Sequence, residues 1–322
     1  MPGLPAPCPA HLRPPGDGRF PLRPLHHCLS RTWFAIALAS ATQGCGATAS
    51  TPGSIRIIDD AGDTIALAHP ARRVVSLIPA STELLFALGA GAQVVGRTAW
   101  CDYPAEALAV TNLGDGLQPN LETVLAVIPD LVVLYRSAQN AAAAEQLRAH
   151  GIATAQLATD RLADVPRHAR TLGTLLGRAD MADSLAERYA RALAGVDATD
   201  SGGPSVLILA WDQPPIAIGA GSFLSELVER AGGRNLFADL PSASAPVSLE
   251  AIAARDPDLV LVVGDESPGF ASRPEWQAVR AVRERRFVRV QGSEFSRPSP
   301  RSPAAIRALR AALSEARYPA TR

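Results

Sequence analysis

The chain has 322 residues, of which 47% are hydrophobic and 19% charged, a composition typical of a globular protein of about two domains. Its 31 basic and 31 acidic residues cancel, which excludes the strong positive field that nucleic-acid-binding proteins use. All of the basic residues are arginine, so proteins that need a lysine are excluded: Schiff-base enzymes, pyridoxal phosphate enzymes and nucleotide-binding proteins with a Walker A loop.

Residues 1–50 have the pattern of an export signal. A proline- and arginine-rich stretch precedes the apolar run 33–39, and small and polar residues follow as far as Cys45. A basic stretch, a short apolar core and a small-residue end are typical of a secretory signal, and the run is too short to span a bilayer. Cys45 after Gly44 also resembles a bacterial lipoprotein processing site, at which the cysteine is acylated and becomes the mature N-terminus. The alternative is a disordered, proline-rich extension of an intracellular protein.

The cysteines and histidines predict neither a disulfide nor a metal site. Cys101 is the only cysteine that follows the leader, so an exported chain would have no intramolecular disulfide. His69, His150 and His168 stand singly beside turn or helix residues, which favours solvent-exposed side chains over a set of metal ligands. We therefore expect no metal and no cofactor.

From Arg72 onward, short β-branched runs alternate with helical stretches, which predicts parallel α/β units. The run 74–78 predicts a strand. The stretch 81–88 predicts a helix that ends at Gly89, because glycine accepts the left-handed conformation found just after helix ends. A further short strand leads into the loop 100–104.

Residues 120–134 and 248–262 are two copies of one pattern, identical at seven of fifteen aligned positions. Each copy predicts a cap residue, a short helix, a Pro-Asp break and a buried parallel strand. A second match pairs the strand, turn and helix of 74–88 with those of 206–230, where Ser222 is predicted to cap the helix. The sequence therefore predicts two α/β lobes of the same architecture.

The stretch 164–195 predicts a helical connector between the lobes. Leucines and Tyr189 recur there at helical spacing, and a break is predicted near Gly177. A long helix in this place would act as a stiff strut. The predicted boundaries are 1–50 for the leader, 51–163 for the N-terminal lobe, 164–199 for the connector and 200–322 for the C-terminal lobe.

A set of short motifs occurs along residues 72–313. They are Arg73-Val74-Val75-Ser76-Leu77, Ser81-Thr82-Glu83-Leu84, Asp102-Tyr103-Pro104, Asn120-Leu121-Glu122, Pro129-Asp130-Leu131-Val132, Ser248-Leu249-Glu250 and Arg297-Pro298-Ser299-Pro300-Arg301. In this order they resemble the substrate-binding proteins of ABC importers with a helical backbone, and most of all the cobalamin-binding branch.

The resemblance implies a class III periplasmic binding protein fold with a ligand cleft between two α/β lobes. It also implies a monomer without catalytic activity, located in the periplasm or on the outer face of the cytoplasmic membrane. Such a protein captures a small molecule and delivers it to an ABC permease dimer with its ATPase. Contact with the membrane would be made through a lipid on Cys45, and nucleic acid would not be a partner.

Glu122 and Glu250 each stand second in a predicted helix. A carboxylate at that position complements the helix dipole, which is worth about 0.3–1 kcal/mol and would explain both residues in an isolated protein. The resemblance implies a second role, in which these glutamates, one on each lobe, dock on arginines of the two membrane subunits. Two separated charges would fix the orientation of the complex.

Four residues are candidates for the ligand cleft. Trp100 and Trp211 follow predicted strands, where a tryptophan is as well suited to a core as to a cleft wall. The resemblance aligns Trp100 with a cleft aromatic, places Trp211 near another, and matches Tyr135 and Arg297 to cleft positions. Arg297 would bind carbonyl or amide groups of a ligand, or else a backbone carbonyl.

The resemblance implies a corrinoid such as cobalamin as the ligand, but the sequence departs from that branch at three places. Leu117-Gln118-Pro119 lacks the aromatic residue expected before Asn120, and Ser244-Ala245-Pro246 stands where a cleft tryptophan is expected. Ser293 and Glu294 replace an Asp-Trp pair. A ferric siderophore or haem is therefore the alternative ligand.

A two-lobed α/β enzyme, such as a nucleotide-sugar transferase, is the alternative of another class. Gly219-Ala220-Gly221 has Leu224 in place of the third glycine of a dinucleotide-binding motif. The sequence also has no Gly-x-Ser-x-Gly nucleophile elbow. Both observations favour binding over catalysis.

Overall fold

The computed structural model describes residues 54–196, 202–264 and 268–317, and in these ranges the chain forms two α/β lobes joined by helices. The leader, including Cys45, lies outside the described residues, so export and acylation at this site stay predictions. Within the described ranges, no helix is both long and apolar enough to cross a membrane.

The first element is an antiparallel hairpin of β1 (Ile55–Ile58) and β2 (Thr64–Leu67). Its turn is fixed to the following lobe by Asp60, whose carboxylate accepts a hydrogen bond from the backbone N–H of Ala158 at 2.7 Å and lies 2.8 Å from Nε2 of His168. The expectation of a solvent-exposed His168 is wrong, because its side chain is 1% exposed. Burial lowers the pKa of this imidazole, although Asp60 acts in the opposite direction.

The N-terminal lobe contains a four-stranded parallel sheet in the order β4-β3-β5-β6. Its strands are β3 (Val74–Ser76), β4 (Val94–Arg97), β5 (Leu131–Tyr135) and β6 (Ala153–Leu157), and its helices are α1 (Pro79–Ala87), α2 (Leu121–Ala126) and α3 (Ala138–Ala149). Val74 and Val133 belong to one hydrophobic cluster and Val75 and Val132 to another, as expected for strands covered on both faces. Helix α1 begins at Pro79, before the predicted start, because the fixed φ of proline suits the first helical position.

The connector consists of two helices, α4 (Asp164–Leu175) and α5 (Ala179–Ala194), and is not a single strut. The break is at the predicted place, where Gly177 has a φ of +67°. The two helices pack closely, since a Cβ atom on Gly173 would lie 2.3 Å from that of Ala182. Helix α5 is about 24 Å long, and Leu193 near its end packs against the main cores of both lobes.

The C-terminal lobe contains a mixed sheet in the order β10-β8-β7-β11-β12, with β9 beside β7. Its strands are β7 (Ser205–Asp212), β8 (Pro215–Ile218), β9 (Arg234–Asn235), β10 (Ser244–Pro246), β11 (Leu259–Val263) and β12 (Phe287–Val290). Its helices are α6 (Phe223–Arg230), α7 (Leu249–Arg255), α8 (Arg280–Arg283) and α9 (Ser302–Arg317). Strands β7, β11 and β12 are parallel, as in the first lobe, while β8 and β10 are antiparallel additions.

The predicted repeat is visible in the backbone of both lobes. Ile128 and Asp256, at equivalent positions between helix and strand, have nearly the same positive φ, 45° and 43°. Asp130 then accepts hydrogen bonds from backbone N–H groups at the start of β3, and Asp258 does the same for Ser205 at the start of β7. Each aspartate thus fixes its helix-strand unit to the neighbouring strand.

Candidate functional site

A cleft of about 490 Å³ lies between the two lobes. The N-terminal lobe contributes Leu77, Ile78, Pro79, Ala80, Trp100, Asp115, Gly116, Leu117, Tyr135, Asn140, Thr159 and Asp160, and the C-terminal lobe contributes Gly221, Ser222, Phe223, Ala243, Ser296, Arg297 and Pro298. Several of these residues directly follow or end the parallel strands, whose carboxyl ends are the usual ligand-binding edge of an α/β sheet. The volume is within the range typical of small-molecule sites.

Trp100, Tyr135 and Arg297, three of the four candidates from the sequence, line this cleft. Trp100 follows β4 and its side chain is 64% exposed, so its indole is not part of a core. Tyr135 is the last residue of β5, and its hydroxyl donates a hydrogen bond of 2.7 Å to Oδ1 of Asp160. Burial, together with this carboxylate, raises the pKa of Tyr135 to about 12, so the phenol is protonated at neutral pH.

Trp211, the fourth candidate, does not line the cavity. It lies near the end of β7, and its indole N–H donates a hydrogen bond of 2.8 Å to the carbonyl of Gln213 in the turn before β8. Its side chain is nevertheless 60% exposed at the carboxyl edge of the sheet. The hairpin with β8, which the sequence did not reveal, determines where this residue lies.

Arg297 contacts the opposite lobe with all three nitrogens of its guanidinium group. Nε donates to Oε1 of Glu83 at 2.8 Å, one terminal nitrogen donates to the carbonyl of Trp100 at 3.3 Å, and the other pairs with Asp102. The side chain is 11% exposed. Arg297 is therefore an interlobe residue as well as a cleft residue.

Glu83 is the centre of a buried ion-pair network that joins the lobes. Its side chain is 1% exposed in α1 and accepts hydrogen bonds from both Arg297 and Arg301, at distances between 2.7 and 2.9 Å. Arg301 also pairs with Glu294, and its guanidinium carbon lies 3.8 Å from the centre of the Tyr103 ring. The sequence gives no signal for this network beyond the family motifs, since Glu83 is more than 200 residues from both arginines.

Glu83 and Arg301 also line a larger cavity, of about 720 Å³, beside α1. None of the described residues around it belongs to a strand, and Trp100, Tyr135 and Arg297 are not among them. The cleft at the carboxyl ends of the strands is therefore the better candidate for the ligand site.

Glu122 and Glu250 are exposed, and neither lines the cleft. Asn120 caps α2 by accepting from the backbone N–H of Glu122 at 3.0 Å, and Ser248 caps α7 by accepting from that of Ala251 at 3.1 Å. Hydrogen bonds from its own backbone N–H and from Ser248 lower the pKa of Glu250. Both lobes thus present a carboxylate on the first turn of a capped helix.

Comparison with known proteins identifies the family. The model of the periplasmic binding protein family matches residues 74–293, about two thirds of the chain. The chain belongs to this family. It is 30% identical over 242 residues to the vitamin B12-binding protein of Pectobacterium carotovorum strain PC1. The aligned region covers 74% of this chain and 86% of that protein.

Two further similarities agree in fold and class. An ABC transporter substrate-binding lipoprotein of Bacillus subtilis strain 168, itself uncharacterized, is 27% identical over 290 residues, or 84% of this chain and 92% of that protein. The apo structure of the periplasmic heme-binding protein RhuT from Roseiflexus sp. RS-1 superposes with a TM-score of 0.69 and 26% identity, over 76% of this chain and 99% of that one.

The family membership settles the class of function. This periplasmic binding protein is an extracytoplasmic substrate-binding component of an ABC importer and is not an enzyme. The fold is the predicted one, with two α/β lobes, a helical connector and a cleft between the lobes. The helix-strand repeat and the caps at Asn120, Ser222 and Ser248 are confirmed.

Proposed function

We propose that the interlobe cleft binds a corrinoid such as cobalamin, which the protein then delivers to a membrane permease. The observation that carries this proposal is a cleft lined by the exposed Trp100 and by two aspartates, Asp115 and Asp160, in a chain 30% identical to a vitamin B12-binding protein. A ferric siderophore or haem is the alternative ligand.

The cleft has apolar surface suited to a flat macrocycle. Trp100 presents an exposed indole, and Leu117, which is 69% exposed, lines the same cleft where the sequence lacks the aromatic residue of the cobalamin-binding branch. Phe223 lines the opposite wall. Aromatic and aliphatic walls of this kind give a large ligand apolar contact while leaving its rim free for polar contacts.

The charges of the cleft favour an uncharged, amide-bearing ligand. Asp115 and Asp160 line it, and among the described lining residues Arg297 is the one cationic side chain. Arg297 already pairs with Glu83 and Asp102, so it offers little charge to an incoming anion. Haem propionates and ferric catecholates are anionic and would be repelled by the two aspartates, whereas the amides of a corrinoid can donate to them.

Tyr135 provides a further argument against haem. A tyrosine ligates haem iron through its phenolate oxygen. Here the hydroxyl donates to Asp160, and burial with this carboxylate raises the pKa of Tyr135 to about 12. The raised pKa makes loss of the phenolic proton to iron costlier than for an ordinary tyrosine, while the oxygen of the protonated hydroxyl can still accept a hydrogen bond from an amide N–H.

We expect Trp100→Ala to weaken cyanocobalamin binding by roughly 30-fold. If the ligand covers about 80 Å² of the indole, the lost contact is about 2 kcal/mol at 25 cal/mol per Å². Equilibrium dialysis, with the bound fraction determined from the visible absorption of cyanocobalamin, measures the change.

Trp211→Ala is the matched control, because it removes an equally exposed tryptophan that does not line the cavity. It should change the dissociation constant less than threefold. Equal effects of the two substitutions, or no effect of Trp100→Ala on tight binding by the wild type, would contradict the proposed position of the ligand.

A further inference from the structure

The guanidinium group of Arg297 is held by two carboxylates that differ in exposure. Its Nε donates to Glu83, whose side chain is 1% exposed. One of its terminal nitrogens pairs with Asp102, whose side chain is 52% exposed. Removal of the Asp102 carboxylate would therefore leave a terminal N–H group without its partner at the solvent-exposed end of the guanidinium, while Glu83 would still hold Nε.

Arg297 lines the ligand cleft, whereas Asp102 is not among the described residues around it. The chain neighbours of Arg297, Ser296 and Pro298, line the same cleft. The second terminal nitrogen of Arg297 donates to the carbonyl of Trp100, another lining residue, at 3.3 Å. A substitution at Asp102 can therefore change the cleft through Arg297 without removing a residue of the cleft wall.

Asp102 is ionised at neutral pH and offsets the charge of Arg297. Burial acts to raise the pKa of this carboxyl, but the hydrogen bond and the positive charge of Arg297 outweigh burial and lower the pKa. Glu83 is shared between Arg297 and Arg301, whereas Asp102 pairs with Arg297 alone among the described arginines. The ion pair with Asp102 is thus the contact that completes the neutralisation of Arg297.

We propose that Asp102 is a positioning residue that withholds Arg297 from the ligand, so that the cleft selects amides against carboxylates. This inference rests on the proposed function, because it takes the ligand to be an amide-bearing corrinoid. A guanidinium with a free terminal N–H group binds a carboxylate through charge-assisted hydrogen bonds, which are stronger than those between neutral groups. The paired Arg297 offers an anion neither this donor nor an uncompensated charge.

The test compares cyanocobalamin with its three monocarboxylate derivatives, in each of which one propionamide is hydrolysed to an acid. Equilibrium dialysis gives the ratio of the dissociation constant of each derivative to that of cyanocobalamin. In Asp102→Ala this ratio should fall about tenfold or more below the wild-type value for at least one derivative, because the freed guanidinium gains a carboxylate partner. Asp102→Asn, which removes the charge at nearly constant size, should shift the ratio in the same direction and serves if the alanine variant does not fold.

Two further variants show whether the effect passes through Arg297. In Asp102→Ala/Arg297→Gln the ratios should return to within about threefold of the wild-type values, because the freed cation is gone. Asp239→Ala is the matched control: Asp239 pairs with Arg255 at 2.6 Å, its side chain is 59% exposed, and neither residue is among the described residues around the cleft. It removes the same charge and releases an arginine elsewhere, so the ratios should not change.

The outcomes separate this inference from the proposed function. If wild-type protein binds cyanocobalamin and Asp102→Ala leaves all three ratios unchanged, the role of Asp102 is overturned and the corrinoid assignment is not. A fall in the ratio that persists in the double variant also overturns that role, because the effect would not depend on Arg297. If wild-type protein does not bind cyanocobalamin, the proposed function is overturned, and the selection among corrinoids with it.

Discussion

Glu83→Ala is expected to lower the free energy of unfolding by about 3 kcal/mol. Removal of one partner from a buried ion pair typically costs about 3–5 kcal/mol, because a charge is left without compensation. We expect the lower value of this range, because Arg297 keeps its contact with Asp102 and Arg301 keeps its contact with Glu294. A denaturant titration, with unfolding monitored by circular dichroism, measures the change in the free energy of unfolding.

The same substitution should also weaken ligand binding by about tenfold or more. Arg297 would lose the carboxylate that fixes its Nε, and the main ionic contact between α1 and the segment around Arg301 would be gone. Glu106→Ala is the control, because Glu106 is an exposed glutamate of the same lobe. A loss of stability below 1 kcal/mol in Glu83→Ala, equal to that of the control, would show that the network does not hold the lobes together.

The double variant Glu122→Ala/Glu250→Ala is expected to abolish uptake while leaving the affinity for cyanocobalamin within twofold of the wild type. Both glutamates are exposed and neither lines the cleft, so we propose that they contact the permease. Uptake of radiolabelled cyanocobalamin by cells that express the importer, combined with equilibrium dialysis of the purified variant, separates the two effects.

The control for this experiment is Glu145→Ala/Glu275→Ala, which removes one exposed glutamate from each lobe at other elements of the structure. It should leave uptake unchanged. Reduced affinity in the Glu122 or Glu250 variants, with uptake lost only in proportion, would place these residues in the binding site. Normal uptake in the double variant would leave them only their favourable interaction with the helix dipole.

The parts of the fold that were predicted from sequence are those that local chemistry determines. The caps of α2, α6 and α7, the left-handed conformation of Gly89, the break near Gly177 and the helix-strand repeat depend on residues close together in the chain. Strand β8 (Pro215–Ile218) was missed because it has only four residues, begins with a proline that follows another proline, and ends just before a glycine, so it shows no clear period of hydrophobic residues.

The parts that were not predicted depend on contacts distant in sequence. His168 is buried because the turn of the hairpin, more than 100 residues earlier, supplies Asp60. Arg297 was expected to bind the ligand or a backbone carbonyl, and it does contact the carbonyl of Trp100, but its carboxylate partners Glu83 and Asp102 were not foreseen. Ser293 and Glu294, which replace an expected Asp-Trp pair, both contact Arg301.

The central claim, a corrinoid ligand in the interlobe cleft, is tested most directly by calorimetry on the mature protein. Cyanocobalamin, haem and a ferric catecholate are titrated separately under the same conditions. We predict one-to-one binding of cyanocobalamin, with at least 100-fold weaker binding of the two anionic ligands. No heat with cyanocobalamin and clear one-to-one binding of haem or the ferric catecholate would contradict the corrinoid assignment, while the importer function would stand.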